Sequence, residues 1–242
     1  MFARAAFWAA TLAVVVVAAR SALVEPIPLR WAIACGVAWV SLFFGLWRHT
    51  NLGAFVDVTS HVAPSGVAIT IDGLPGASAL AKIRAYCTKE DVPLVFFVTG
   101  VEVASRPADL RALAAEGHEI GLYVSRGLTA SALDERAALA AVTGAPVPWV
   151  RVGAWGTPAL DRALARADVA AIGWSVGAQG LRSPERIGAR VRERAAPGGI
   201  VALDGPSCGA AVIAAVCDAL AAERLVARAL ADGAARSEDE GG

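Results

Sequence analysis

Net charge is the first thing this 242-residue chain lacks: 22 basic and 22 acidic residues cancel. No long-range field draws it to nucleic acid or to anionic surfaces, so no nucleic-acid partner is expected. Lysine is scarce too. Only Lys82 and Lys89 are lysine, and beside so much alanine this reads as a coding bias. The four cysteines, Cys35, Cys87, Cys208 and Cys217, include no C-x-x-C pair. They read as small buried hydrophobes and not as a disulfide or thiolate metal site. Histidine is limited to His49, His61 and His118. No ligand spacing joins any of them to Asp204 and Cys208, so no substitute metal cluster is expected.

Apolar mass is what the chain does have, at 56% of its residues. That suffices for a membrane segment and one domain of about 170 residues. Residues 5–19 are apolar apart from Thr11, and residues 31–47 apart from Ser41. A spanning helix takes roughly 20 apolar residues, with about 17 as the lower limit. Trp31 and Trp47 bracket the second run as interfacial aromatics do. Glu25-Pro26-Ile27-Pro28 between the runs breaks a helix and suits a tight turn. A two-helix membrane anchor over residues 1–48 is therefore expected. A signal peptide ending near Val17-Ala18-Ala19, followed by one span, is the rival; a buried helical hairpin is the third reading. Arg20 and Arg30 flank the turn while Arg4 and Arg48 lie opposite, so charge sets no orientation.

Residues 49–65, with Asn51, Gly53, Pro64 and Ser65, read as a linker, and residues 66–232 as one domain. Within it Val67–Asp72, Pro93–Thr99, Glu119–Val124, Val147–Val152, Val169–Val176 and Gly199–Leu203 read as strands, with Arg224–Ala229 as a last one. Ala77–Glu90, Pro107–Glu116, Thr129–Thr143, Pro158–Ala167, a segment opened by Ser183-Pro184, and Ala210–Ala222 read as helices. The polar tail, residues 233–242, reads as disordered. About seven strands alternating with helices predict a parallel α/β sheet, either a barrel or an open doubly wound sheet. Both place chemistry at the carboxyl ends of the strands.

Those ends carry a series of motifs. Thr70-Ile71-Asp72-Gly73-Leu74-Pro75 comes first, then Phe96-Phe97-Val98-Thr99-Gly100, then Gly117-His118-Glu119-Ile120-Gly121. Arg151 follows with Gly153-Ala154-Trp155-Gly156, then Trp174 to Gly180, then Leu203-Asp204-Gly205. In this order, over about residues 66–230, they resemble the polysaccharide deacetylase family, the NodB-homology domain. The resemblance implies a deformed (β/α)7 barrel and a hydrolase of carbohydrate amide bonds that uses a divalent metal such as zinc. It places Asp72 at the family's catalytic base and Arg151 at the arginine that contacts this base. Asp204 falls where the family has its general-acid histidine. The three metal-ligand positions fall on Gly73, Tyr123 and Gly127, while His118 belongs to the structural part of its motif.

Glycine supplies no ligand, and a neutral tyrosine, with a pKa of about 10, is a poor one. No metal cofactor is therefore expected in this copy. Asp72 alone, as a general base, supplies about 100- to 10,000-fold, short of ordinary enzymatic acceleration. The expected role is that of a membrane-anchored pseudoenzyme that binds an envelope glycan or a protein partner. The family suggests a domain outside the cytoplasm. Tyr123 and Trp155 either line a sugar groove or fill the space left by the ligands. The alternatives are an active amide hydrolase built on Asp72, Arg151 and Asp204, and a membrane assembly protein driven by the hairpin.

Overall fold

The computed structural model describes residues 9, 11–16, 18, 20, 28–48, 58, 59, 66–124, 130–153 and 158–231. Eight parallel strands form one sheet: β1 (Val58–Thr59), β2 (Ala68–Asp72), β3 (Val95–Val98), β4 (Glu119–Val124), β5 (Trp149–Val152), β6 (Ala170–Ile172), β7 (Val176–Gly177) and β8 (Ile200–Asp204). Their spatial order is β1-β6-β5-β4-β3-β2-β8-β7. Since β1 and β7 each have one neighbour in that order, the barrel expected above takes the form of an open, curled half-barrel.

Both faces of the sheet are covered, so its strands read as apolar runs. Alternate residues go to opposite faces. Ile69, Ile71, Phe96, Val98, Leu122, Val150 and Leu203 join the cluster that packs on the helices. Ala68, Val95, Phe97, Ile172 and Ile200 form a second cluster, to which Tyr123, Trp149 and Trp174 contribute from partial burial. Leu230 completes this cluster from the end of the chain and is 1% exposed. Arg228 N donates to Val67 O, and Ala231 N donates to Glu119 Oε1 at 2.9 Å. The strand expected over Arg224–Ala229 is thus a single bridge, Val67 to Ala227. Its Leu225 and Ala227 pack, partly buried, against the outer cluster, while Leu230 beyond it reaches the inner one.

The helices are α1 (Leu29–Arg48), α2 (Ala77–Glu90), α3 (Gly100–Ser105), α4 (Pro107–Ala115), α5 (Ala130–Thr143), α6 (Pro158–Arg166), α7 (Pro184–Arg194) and α8 (Ala210–Ala222). Local chemistry sets their starts. Pro107 and Pro184 open α4 and α7, where a missing N–H leaves no bond unmade. Ser183 caps α7 by accepting from Arg186 N. Thr99 and Glu102 form a reciprocal capping box on α3, a helix absent from the sequence reading. α7 packs on α8 through Gly188, where a Cβ would lie 3.1 Å from Ala215 O.

Three further expectations change. The strand expected over Val169–Val176 splits into β6, which pairs with β5, and β7, which pairs with β8 near the opposite margin of the sheet; where the chain leaves β6, the carbonyls of Ile172 and Gly173 accept from Arg151. Val58 and Thr59, inside the presumed linker, pair in parallel with Ala171 and Ile172 as an edge strand. The membrane hairpin expected over residues 1–48 gains no support. Among the described residues no helix is long and apolar enough to cross a membrane. Residues 11–16 are also helical, and Trp39 Nε1 donates to Thr11 Oγ1 at 3.1 Å. The tail from 232 onward lies outside the described residues.

Leu230 anchors the chain's last described segment. Its replacement by alanine is expected to lower stability by about 2–4 kcal/mol, through lost burial and the cavity left behind. Chemical denaturation of the two proteins measures this, and an unchanged midpoint would contradict the anchoring role.

Candidate functional site

Register brings the polar ends together. Asp72, last in β2, stands opposite Phe97 of β3 and Asp204 of β8. Tyr123 of β4 stands opposite Arg151 of β5. At the centre Arg151 Nη1 donates to Asp72 Oδ1 at 2.9 Å, with side-chain exposures of 1% and 14%. The pairing implied by the family resemblance is therefore present in the structure.

Arg151 is fully buried, and a buried charge is tolerated only when paired and hydrogen-bonded. Its donors meet that condition. Nε donates to Ile172 O at 3.2 Å and Nη2 to Gly173 O at 2.9 Å. The guanidinium carbon lies 4.4 Å from the centre of the Phe97 ring and 5.5 Å from that of Trp174, within cation–π range. Gly121 makes room for this stack. A Cβ there would come within 2.6 Å of the Phe97 ring and 2.9 Å of Trp149 O. The second glycine of the Gly-His-Glu-Ile-Gly motif thus has a steric reason to be glycine.

Burial is the largest influence on Asp72 and lifts its pKa above the ordinary carboxylate value. Arg151 and a hydrogen bond from Gln179 pull the other way, while Asp204 adds to the rise. Gln179 Nε2 reaches Asp72 Oδ2 at 3.4 Å, from the loop after β7. Sequence reasoning missed Gln179, Phe97 and Trp174 as neighbours of the pair. All three lie within the motifs singled out in the sequence, Phe97 in the second and Trp174 and Gln179 in the fifth, and it was their position there that could have drawn attention.

Gly73, beside Asp72, has φ +81°, a conformation that glycine adopts readily and other residues do not. Its N–H donates to Phe97 O at 2.8 Å. A Cβ on Gly73 would meet Glu102 Oε1 at 3.5 Å, and that oxygen accepts from Leu74 N. Tyr123 is half-buried, and burial raises the pKa of its phenol, with Asp72 adding to the rise. Its hydroxyl lies over Gly153, where any side chain would collide with it. Asp204 Oδ2 accepts from Ser207 Oγ at 2.9 Å. Trp155 and Gly127 lie outside the described residues. His118 sits at the opposite, amino ends of the strands. Leu94 N donates to its Nδ1 at 3.3 Å, its ring meets Phe96 edge-on, and burial lowers its pKa.

A hard divalent ion wants carboxylates or imidazoles in a set of three or more. Among the described residues no group of three His, Cys, Asp or Glu side chains could hold a metal. The groups around Asp72 are a guanidinium, a carboxamide, a protonated phenol and, across the β2–β8 register, the Asp204 carboxylate. The guanidinium repels a cation, the carboxamide and phenol are weak ligands, and two carboxylates fall short of a set of three. These residues do not fit the family's metal.

Two outcomes are expected for the ion pair. Arg151→Met strands Asp72 and should cost about 3–5 kcal/mol, while Asp72→Asn, which keeps an acceptor, should cost less. Asp72 also carries a pH signature. Its folded pKa exceeds its unfolded one, so its contribution to stability is complete below the unfolded value and is lost as pH rises through the folded one. Unfolding measured across that window should show this slope, and Asp72→Asn should remove it.

Relatives share both the motifs and the architecture. The profile of the polysaccharide deacetylase family matches residues 60–123. A chitooligosaccharide deacetylase from Bradyrhizobium sp. (strain ANU 289) is 32% identical over 152 residues, covering 57% of this chain and 69% of that protein. Among solved structures, Bacillus subtilis PdaA, a family 4 carbohydrate esterase, gives a TM-score of 0.64 at 18% identity over 78% of this chain and 89% of that one. A CE4 family pseudoenzyme from Bacillus anthracis gives 0.60 at 18% identity, covering 67% of this chain and 63% of that one. This chain thus spans less than two thirds of the pseudoenzyme's length. The two structural likenesses show the fold; together with the sequence match they make this chain a member of the polysaccharide deacetylase family.

Proposed function

We propose that this protein binds an envelope glycan at the mouth of its half-barrel and has given up metal-dependent N-deacetylation. The observation that carries the reading is the donor set around Asp72. The family's ligand positions fall on Gly73, Tyr123 and Gly127, and the aspartate at the position of the base is paired with a buried guanidinium. An amide carbonyl at this mouth would meet no Lewis acid among those side chains, and the water would have Asp72 alone to take its proton. General-base help of that kind is worth about 100- to 10,000-fold. The fold also accommodates a CE4 family pseudoenzyme in Bacillus anthracis. Tyr123, half-buried beside the pair, supplies an aromatic wall of the kind that suits a sugar face, and Trp155 is assigned the same role.

A second reading has its own support. Asp72 and Asp204 face each other in register, and burial, with a small addition from Asp204, raises the pKa of Asp72. A carboxyl with a raised pKa beside a second carboxylate is one recipe for an acid–base pair.

The N-terminal helices support attachment to a membrane. Leu12, Val15, Val16, Trp31, Ile33, Val37 and Val40 are exposed, an apolar surface unusual for a protein surrounded by water. With an envelope glycan as ligand, the domain belongs on the extracytoplasmic side.

Three measurements test this. Acetate release from an N-acetylated chitooligosaccharide is expected to stay at background, with or without added zinc. Turnover that Asp72→Asn abolishes would favour the second reading. Calorimetry should detect oligosaccharide binding, weakened about tenfold by Tyr123→Ala or Trp155→Ala, as loss of an aromatic contact of roughly 1.4 kcal/mol predicts. Cell fractionation should place the full chain with the membranes, and recovery in the soluble fraction would reject the attachment.

A further inference from the structure

The two oxygens of Asp72 are held very differently. Oδ1 receives a buried guanidinium N–H at 2.9 Å. Oδ2 receives Gln179 Nε2 at 3.4 Å, and Gln179 is exposed. Fixing an exposed glutamine gives up about 1–2 kcal/mol of rotamer freedom. A neutral donor on a carboxylate returns about 1.5–3 kcal/mol at good geometry, and this bond is at the long limit. Gain and loss nearly balance, so the contact forms and releases readily.

The surroundings are shaped for it. Gly180 has φ +79° and turns the chain directly after Gln179. Gly177 leaves open the space that Gln179 and Trp174 use. A Cβ there would lie 2.9 Å from Trp174 Nε1 and 3.1 Å from Gln179 Oε1.

We propose that Gln179 is the specificity-determining latch of the mouth. Its carboxamide occupies the Asp72 oxygen that Arg151 leaves, and a guest gains that oxygen only by offering a hydrogen-bond donor in place of the Gln179 N–H. An amide N–H or a sugar hydroxyl meets the requirement. A carboxylate-bearing sugar does not, because it would face Asp72 with like charge. The nature of the guest rests on the glycan-binding reading above, whereas the latch itself does not.

The latch is tested first without a guest. The full chain is treated with a water-soluble carbodiimide and an amine, and modification of Asp72 is followed by peptide mass spectrometry. Gln179→Ala and Gln179→Glu should speed the modification about three- to tenfold, the range that a weak hydrogen bond allows. Gly177→Ala should do the same without altering Gln179, by displacing its side chain. Wild-type rates in all three variants would overturn the latch. The guest arm uses chitotetraose and tetragalacturonate. Chitotetraose should bind Gln179→Ala more tightly than wild type, and tetragalacturonate should bind neither. Equal chitotetraose affinities, or binding of tetragalacturonate, would overturn the specificity role. Faster modification with no binding of chitotetraose to either protein would leave the latch standing and defeat the glycan reading instead.

Discussion

A single buried cation organises the upper half of this domain. Arg151 reaches from β5 to Asp72 on β2, lies against Phe97 on β3 and draws in two carbonyls at the end of β6. Placing a guanidinium in such surroundings carries a desolvation penalty of several kcal/mol, offset only when its donors find good acceptors. The backbone supplies two of them by leaving the strand geometry after Ile172. These carbonyls lie where the chain leaves β6 and crosses to β7 beside β8, and Gln179 follows β7.

Local steric choices support this centre. Gly121 admits the Phe97 ring, Phe97 supports the guanidinium, and the guanidinium fixes one oxygen of Asp72. Gly177 admits Gln179 and Trp174 on the other side. Gly205 lies so close to the Gly73 carbonyl that a side chain there would clash. The mouth is thus bounded by the Asp72 and Asp204 carboxylates and close-packed backbone where β2 and β8 end, and by aromatic and amide side chains elsewhere.

Much of the architecture was legible because the sheet is covered on both faces and its strands are short apolar runs between capped helices. Glu119–Val124, Ala77–Glu90 and Ala210–Ala222 have the same bounds in sequence and structure. The Asp72–Arg151 pair followed from the motif resemblance. What stayed hidden depends on tertiary partners. The apolar run Val169–Val176 carries no mark of the crossing from the β5 side of the sheet to β8. Arg224–Ala229 has the composition of a strand, yet its purpose is to deliver Leu230. The α3 helix did have a signal in Thr99 and Glu102 at capping-box spacing, but six residues give no periodicity. Gln179 shows its role only once β8 has brought β2 and β7 to its two sides.

Among the described residues the two free margins of the sheet are two residues long each, Val58–Thr59 and Val176–Gly177. At one of them Arg190 Nη1 already donates to Gly177 O. An open sheet with long bare margins would invite other chains to add strands and grow into fibres. Margins this brief offer a newcomer too few ladder bonds to take hold, so the domain can stay unclosed without becoming a seed for self-association.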